Sequence, residues 1–139
     1  MEQYADIVKL HLPFGYKIVR KYIKDAHGYV TSDSREIVVS SQLVSRYALF
    51  VFLHECGHLH SKHILHHYSS VPAWMGEYEA DDYAIQAMKE HKIAIPRDLL
   101  SDQKEELRRL IKLAISTGET EFPIAVLKYA FGKTWRQYR

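Results

Sequence analysis

This chain of 139 residues has a single cysteine, only four prolines and six glycines, and no long hydrophobic run. One thiol, Cys56, cannot form an internal disulfide, which is typical of proteins from a reducing compartment. The longest apolar stretch, Tyr47 to Leu53, is far shorter than the ~20 residues that cross a bilayer. Residues 1–6 lack the cationic start and apolar run of a signal peptide. We therefore expect a cytoplasmic protein without membrane association.

An excess of charge of one sign is also lacking, because 19 basic side chains balance 17 acidic ones and leave a net charge of +2. The basic residues form no long stripe, so we expect no nucleic-acid partner. The composition, 47% hydrophobic and 26% charged, is that of ordinary globular proteins, and the length suits one domain. Residues 1–139 are therefore expected to form a single domain.

Residue periodicity predicts the secondary structure. The pattern predicts a helix over residues 2–12, strands over 16–23 and 36–40, and long helices over 42–62 and 77–91. Ser40 and Ser41 are candidate caps for the first long helix, and residues 64–76 are expected to form a loop. Two more helices are predicted to start near the capping-box pattern Asp102-x-x-Glu105 and at Pro123, before a frayed basic tail. A small antiparallel sheet packed on a mostly helical core makes an α+β domain.

Histidine is the residue type in excess, with nine in the chain. Six of these nine lie between positions 54 and 67. Residues 54–58 read His-Glu-Cys-Gly-His, which has the form H-E-x-x-H. On a helix its two histidines lie about 40° apart around the axis, so both imidazoles can reach one ion. We interpret His54 and His58 as ligands of a single Zn²⁺, although a chance match on a buried helix is the alternative.

Glu55 is the candidate general base of this motif. It is turned by about 100° from His54, so it lies off the ligand face but beside it. A catalytic zinc ion lowers the pKa of water to about 7 and polarises a carbonyl, while a glutamate takes the proton and passes it to the leaving amine. Gly57, without a side chain, leaves space for another element to approach the same helix closely.

A catalytic zinc site usually has three protein ligands, and Glu77 is the candidate for the third. On the helix predicted from residue 77, Glu77, Ala80 and Asp81 share one face. Glu77 can then bind the metal while Asp81, one turn on, accepts the N–H of a bound imidazole and fixes its orientation. Glu79 and Asp82 lie off that face and are better explained as solvated acidic residues at a helix start.

Three segments, at residues 35–39, 52–60 and 77–84, together resemble the ImmA/IrrE-type zinc metallopeptidases, a gluzincin-like group with HExxH and a downstream ExxAD. The resemblance implies a small zincin-like domain in which His54, His58 and Glu77 hold one zinc ion and Glu55 is catalytic. It also implies that residues 37–40, before the active-site helix, align an extended substrate along an exposed sheet edge. Members of this family often cleave repressors or other regulators.

Two questions about the site stay open in the sequence. An accessory metal site is conceivable among four further histidines, but helix-ending histidines need no ion; they are His60, His63, His66 and His67. An aromatic side chain can supply a hydrogen bond to the transition state. The candidates are Tyr68, Trp74, Tyr78 and Tyr83, and the sequence selects none of them.

The leading hypothesis is a zinc metalloendopeptidase acting on a protein or peptide substrate. A second hypothesis is a catalytically silent zinc-binding module that sequesters a partner protein, and a third is a metal-free structural domain. The substrate and the oligomeric state do not follow from the sequence.

Overall fold

A computed structural model describes residues 4–23, 28–31, 33–40, 43–60 and 71–139. The fold is α+β, as predicted, and mostly helical. In chain order the described elements are α1 (Ala5–His11), β1 (Lys17–Arg20), β2 (Gly28–Thr31), β3 (Glu36–Val39), α2 (Arg46–His60), α3 (Ala73–Glu90), α4 (Arg97–Ser116) and α5 (Ile124–Phe131), followed by a 3-10 helix at Gly132–Tyr138. None of the described helices is both long and apolar enough to cross a membrane.

The sheet is mixed, so the predicted antiparallel sheet was wrong. Its strand order is β1-β3-β2, in which β3 runs parallel to β1 and antiparallel to β2. Short β-branched runs indicate strands but not their directions, which explains the error. Because β3 is paired on both sides, the implied role of residues 37–40 as an exposed substrate-aligning edge is also wrong. Within the described chain, β1 and β2 are the strands at the edges.

Helix α2 is the central element of the fold. Its residues 48–57 are all buried, which explains why their sequence is almost continuously apolar before His54. The backbone N–H of Ala48 donates to Ser45 Oγ at 3.1 Å, so the helix is capped at Ser45 and begins at Arg46. The predicted start at residue 42 and cap at Ser40 were therefore wrong, and Ser41 and the predicted end at residue 62 lie outside the described residues.

Prolines, not acidic capping boxes, set the starts of the next two helices. Helix α3 begins directly after Pro72, so residues 73–76 are helical and not part of the predicted loop, whose residues 64–70 lie outside the described chain. Helix α4 begins directly after Pro96, which places the predicted Asp102 start inside the helix. In both cases proline's fixed φ suits the helix entry and outweighs the weaker signals downstream.

The C-terminal tail is ordered by packing, which corrects the expectation of a frayed end. After α5 the chain continues as a 3-10 helix, and Trp135 within it is only 9% exposed. A second apolar cluster forms around this tryptophan, with members from α3, α4 and α5: Trp74, Leu107, Ile111, Val126, Leu127 and Ala130. Helix α3 joins this cluster to the main core, to which it contributes Ala84 and Met88.

Helices α2 and α3 cross at very short range. A Cβ atom added to Gly57 would lie 2.8 Å from Ala80 Cα and 2.9 Å from Tyr83 Cβ, closer than such atoms approach in real proteins. Ala80 and Ala84, on the facing side of α3, are fully buried. This confirms that Gly57 allows another element to approach α2 closely.

Polar contacts of His11 connect α1 with α3 and with the residue that follows it. The Nδ1 and Nε2 atoms of His11 lie 2.6 Å from the hydroxyl of Tyr83 and 3.0 Å from Nε2 of His91. Partial burial, together with the proximity of His91 and His60, lowers the pKa of His11. The folded state therefore favours a neutral His11.

The substitution Gly57→Ala should reduce the free energy of unfolding by about 1–3 kcal/mol, because the new methyl group meets backbone atoms of α3 that cannot rotate away. The control is Gly76→Ala, at a helical position of α3 with open space around it, which should instead stabilise the protein by about 0.5–1 kcal/mol. Urea denaturation of both variants measures the difference. Equal effects would contradict the close crossing.

Acid should weaken the fold partly through His11. The pKa of His11 is lower in the folded state than in the unfolded chain, so the unfolded chain binds a proton at His11 at a higher pH. The contribution of a neutral His11 to the free energy of unfolding is therefore fully present above about pH 6.5. It is lost as the pH falls toward the lowered pKa. We expect His11→Gln, which cannot titrate, to remove this part of the pH dependence. The measurement is the unfolding free energy of both proteins, with chelator, from about pH 8 to 5. Parallel curves would refute the assignment.

Candidate metal centre

The α2–α3 crossing brings the three predicted ligands together. His54 and His58 lie one turn apart on α2, and their rings are 4.8 Å apart and nearly perpendicular. The Glu77 carboxylate of α3 lies between them, with Oε2 at 3.1 Å from Nε2 of His54 and Oε1 at 3.3 Å from Nε2 of His58. One ligand atom from each residue lies within 4.8 Å of the other two. The three side chains are therefore close enough to hold a metal ion.

The chemistry of these donors fits a transition metal. Tetrahedral zinc with bonds of about 2.0–2.2 Å separates its ligand atoms by about 3.3 Å, close to the nitrogen–oxygen distances found here. Two imidazoles and a carboxylate are also a common donor set for catalytic zinc. Both histidines are largely buried and Glu77 is partly exposed, so an ion can be reached from the Glu77 side.

Asp81 lies where its predicted role requires. It is 1% exposed, and its Oδ1 lies 2.8 Å from Nδ1 of His54. With the Nδ1–H donating to this carboxylate, the Nε2 atom of His54 faces Glu77 and is the nitrogen that can bind an ion. The geometry thus separates a carboxylate that can ligate, Glu77, from one that holds a candidate ligand by a hydrogen bond, Asp81.

The electrostatics show what a metal ion would replace. Burial alone would lower the pKa of His54, but its hydrogen bonds to Asp81 and Glu77 outweigh burial and raise the pKa to about 10. Burial would raise the pKa of Glu77, but the two histidines hold it well below its usual range. Without an ion, a proton on Nε2 of His54 occupies the position of the metal. Proton and metal must compete there.

Glu55 lies beside this group without belonging to it. Its side chain is 6% exposed, and burial raises its pKa, against the opposing influence of His54 and His58. Strand β2 covers this part of α2 closely, since a Cβ added to Gly28 would lie 3.3 Å from Glu55 Cγ. A buried carboxyl with a raised pKa next to potential metal ligands has the properties of a general base.

Two residues of the site were missed in the sequence. Gln103 on α4 donates from Nε2 to Asp81 Oδ1 at 3.0 Å, and the Tyr129 hydroxyl on α5 donates to Asp81 Oδ2 at 2.8 Å. Neither belongs to a motif, and both are more than 20 residues away from Asp81 along the chain. The one available signal was a tyrosine within the apolar run of α5, because a buried phenol usually has a hydrogen-bond partner.

The aromatic candidates for transition-state stabilisation have other contacts. The Trp74 indole donates to the Glu119 carboxylate at 3.3 Å, the Tyr83 hydroxyl lies against His11, and the Tyr78 ring packs edge-on against Tyr129. Tyr68 lies outside the described residues.

The other candidates lie away from the ligand group. His60 stacks on the Tyr83 ring, and its suggested partners in an accessory metal site, His63, His66 and His67, lie outside the described residues. Glu79 and Asp82 line a cavity of about 350 Å³ between α1, α2 and α3, off the ligand face as predicted. None of the three ligand candidates lines this cavity.

No family model, curated protein or solved structure matches the chain.

One equivalent of Zn²⁺ should bind and raise the melting temperature, and Glu77→Gln should weaken binding by at least about tenfold because it removes a charged ligand. The matched control is Asp82→Asn, which removes a carboxylate from an exposed position of the same helix and should leave the affinity unchanged. Competition with a chelator at fixed pH measures both. Equal affinities of the two variants would rule out Glu77 as a ligand.

Proposed function

We propose that this protein is a zinc-dependent metalloendopeptidase of the ImmA/IrrE type that hydrolyses peptide bonds in a protein substrate. The observation that carries the proposal is the position of Glu55, a buried carboxyl next to a three-residue ligand group to which it does not belong. Three protein ligands are what a catalytic zinc site uses, since the fourth position must remain for water or substrate. A purely structural site would have four.

The proposed chemistry divides the work between the ion and the chain. Bound zinc would supply Lewis acidity, polarising the scissile carbonyl and making water more acidic. Glu55 accepts the proton of the attacking water and returns it to the amine nitrogen as the peptide bond breaks. The raised pKa of Glu55 suits both steps, because a more basic carboxylate takes the proton more readily and a carboxylic acid then exists to donate it.

The mixed sheet suggests a different substrate-binding strand from the one that the resemblance implied. Strand β2 is at an edge of the described sheet and lies directly on the active helix, where Gly28 approaches Val51 and Glu55. An extended peptide that hydrogen-bonds to the outer edge of β2 would pass beside Glu55. This arrangement favours an unfolded stretch of protein over a small molecule as the substrate. A regulator or repressor is the class that the family resemblance adds.

A cytoplasmic location belongs to the same proposal. It is supported by the single cysteine, Cys56, which is a free thiol without an internal disulfide partner.

Glu55→Gln should abolish cleavage, with a loss of at least about 100-fold, while zinc affinity stays within about threefold of wild type. The glutamine keeps the shape of the side chain but cannot take up the proton. Proteins of cells that express wild type or Glu55→Gln can be compared for new termini, with zinc content measured on both purified proteins.

Termini that occur only with the wild type support the peptidase. A biological effect that is equal in the two strains, without new termini, would overturn the peptidase proposal in favour of the zinc-binding module that sequesters a partner. A wild-type protein without bound zinc would count against both.

A further inference from the structure

We infer that Gln103 and Tyr129 are positioning residues of the metal centre, which hold the Asp81 carboxylate so that it orients His54 toward the ion. This inference depends on zinc binding by His54, His58 and Glu77, as proposed above. It extends the site from α2 and α3 to α4 and α5.

The Asp81 carboxylate is the point where four helices meet. It lies on α3, is 1% exposed, and accepts hydrogen bonds from His54 on α2, Gln103 on α4 and Tyr129 on α5. Oδ1 accepts from the imidazole and the amide, while Oδ2 accepts from the phenol. Both carboxylate oxygens are therefore fixed in position.

The pattern of donors determines the tautomer of His54. Nε2 of Gln103 lies 3.0 Å from Asp81 Oδ1 and 3.2 Å from His54 Nδ1. A carboxylate can only accept, so the 2.8 Å contact between Asp81 Oδ1 and His54 Nδ1 requires a proton on Nδ1. The Gln103 amide therefore donates to the carboxylate and not to Nδ1. The flipped amide would place its oxygen against the same carboxylate, which is unfavourable. Nδ1 of His54 thus keeps its proton, and Nε2 is the nitrogen at which a metal would replace a proton.

The Tyr129 hydroxyl is held as a donor by its surroundings. Burial, and then the Asp81 charge, raises the pKa of Tyr129, so the phenol keeps its proton. Its ring packs edge-on against Tyr78 at 5.6 Å and lies 5.0 Å from the Lys104 ammonium. These contacts fix the position from which the hydroxyl reaches Asp81 Oδ2.

A structural role alone would leave zinc affinity unchanged. If Gln103 and Tyr129 only compensated a buried charge, their loss would lower stability without changing how the ligands meet an ion. If they position Asp81, their loss lets the carboxylate and then the His54 ring rotate. Changing the partners that orient a metal ligand typically lowers metal affinity by about 10–100-fold.

The first test is zinc affinity, measured by competition with a chelator, for Tyr129→Phe and for Gln103→Met. Each removes a donor to Asp81 with little change in shape, and each should lower the affinity by about threefold to tenfold, less than a direct partner of the histidine would. The matched control is Tyr78→Phe, whose ring touches Tyr129 but whose hydroxyl is not a donor to Asp81. It should bind zinc like wild type.

The second test is a double-mutant cycle with Asp81→Ala. If Tyr129 acts through Asp81, adding Tyr129→Phe to Asp81→Ala should change zinc affinity no further. An equal loss in both backgrounds would overturn the inference, as would wild-type affinity in both Tyr129→Phe and Gln103→Met. Should Asp81→Ala not fold, the two single variants and the Tyr78→Phe control still decide.

A wild type that binds no zinc refutes the proposed function and the inference together, whereas a zinc-binding wild type with unaffected variants refutes the inference alone.

Discussion

The close crossing of α2 and α3 is the constraint on which the rest of the structure depends. Gly57 has no side chain and Ala80 has a small one, so the two helix backbones approach within the distance that a histidine and a glutamate can span. A larger residue at either position would move Glu77 away from His54 and separate the candidate ligands. The conformational disadvantage of a mid-helix glycine, about 1 kcal/mol, is small compared with the packing that it allows.

The second constraint is electrostatic, because the same crossing buries several ionisable groups. Such groups are stable in an apolar core only when they are paired and hydrogen-bonded. Here the carboxylates are divided between two environments: Asp81 has donors on both oxygens, while Glu77, which is partly exposed, faces the two imidazoles. This division makes Asp81 a fixed part of the core and leaves the Glu77 carboxylate able to exchange its contacts with the two imidazoles for an ion.

The local parts of the site were predictable, and the parts formed by tertiary contacts were not. Helical geometry alone places His54 near His58 and Glu77 near Asp81, and the missing side chain of Gly57 indicates that another element approaches α2 closely. No such periodicity connects Asp81 with Gln103 or Tyr129, which reach it from separate helices. The same limit explains the sheet: β-branched runs located β1 and β3, but pairing β3 with both neighbours depends on the path of the whole chain.

The helix starts show a related competition between local signals. Asp102 and Glu105 fit a capping box, yet Pro96 starts α4 earlier, and the extra turn lets α4 extend along the core with Leu99 buried. Starting α4 at residue 102 would expose Leu99 and leave Gln103 in the frayed first turn. The early start instead places Gln103 in the second turn of α4, where its amide reaches Asp81. The proline therefore contributes to the candidate metal centre through the start of α4, although it is not itself a candidate ligand.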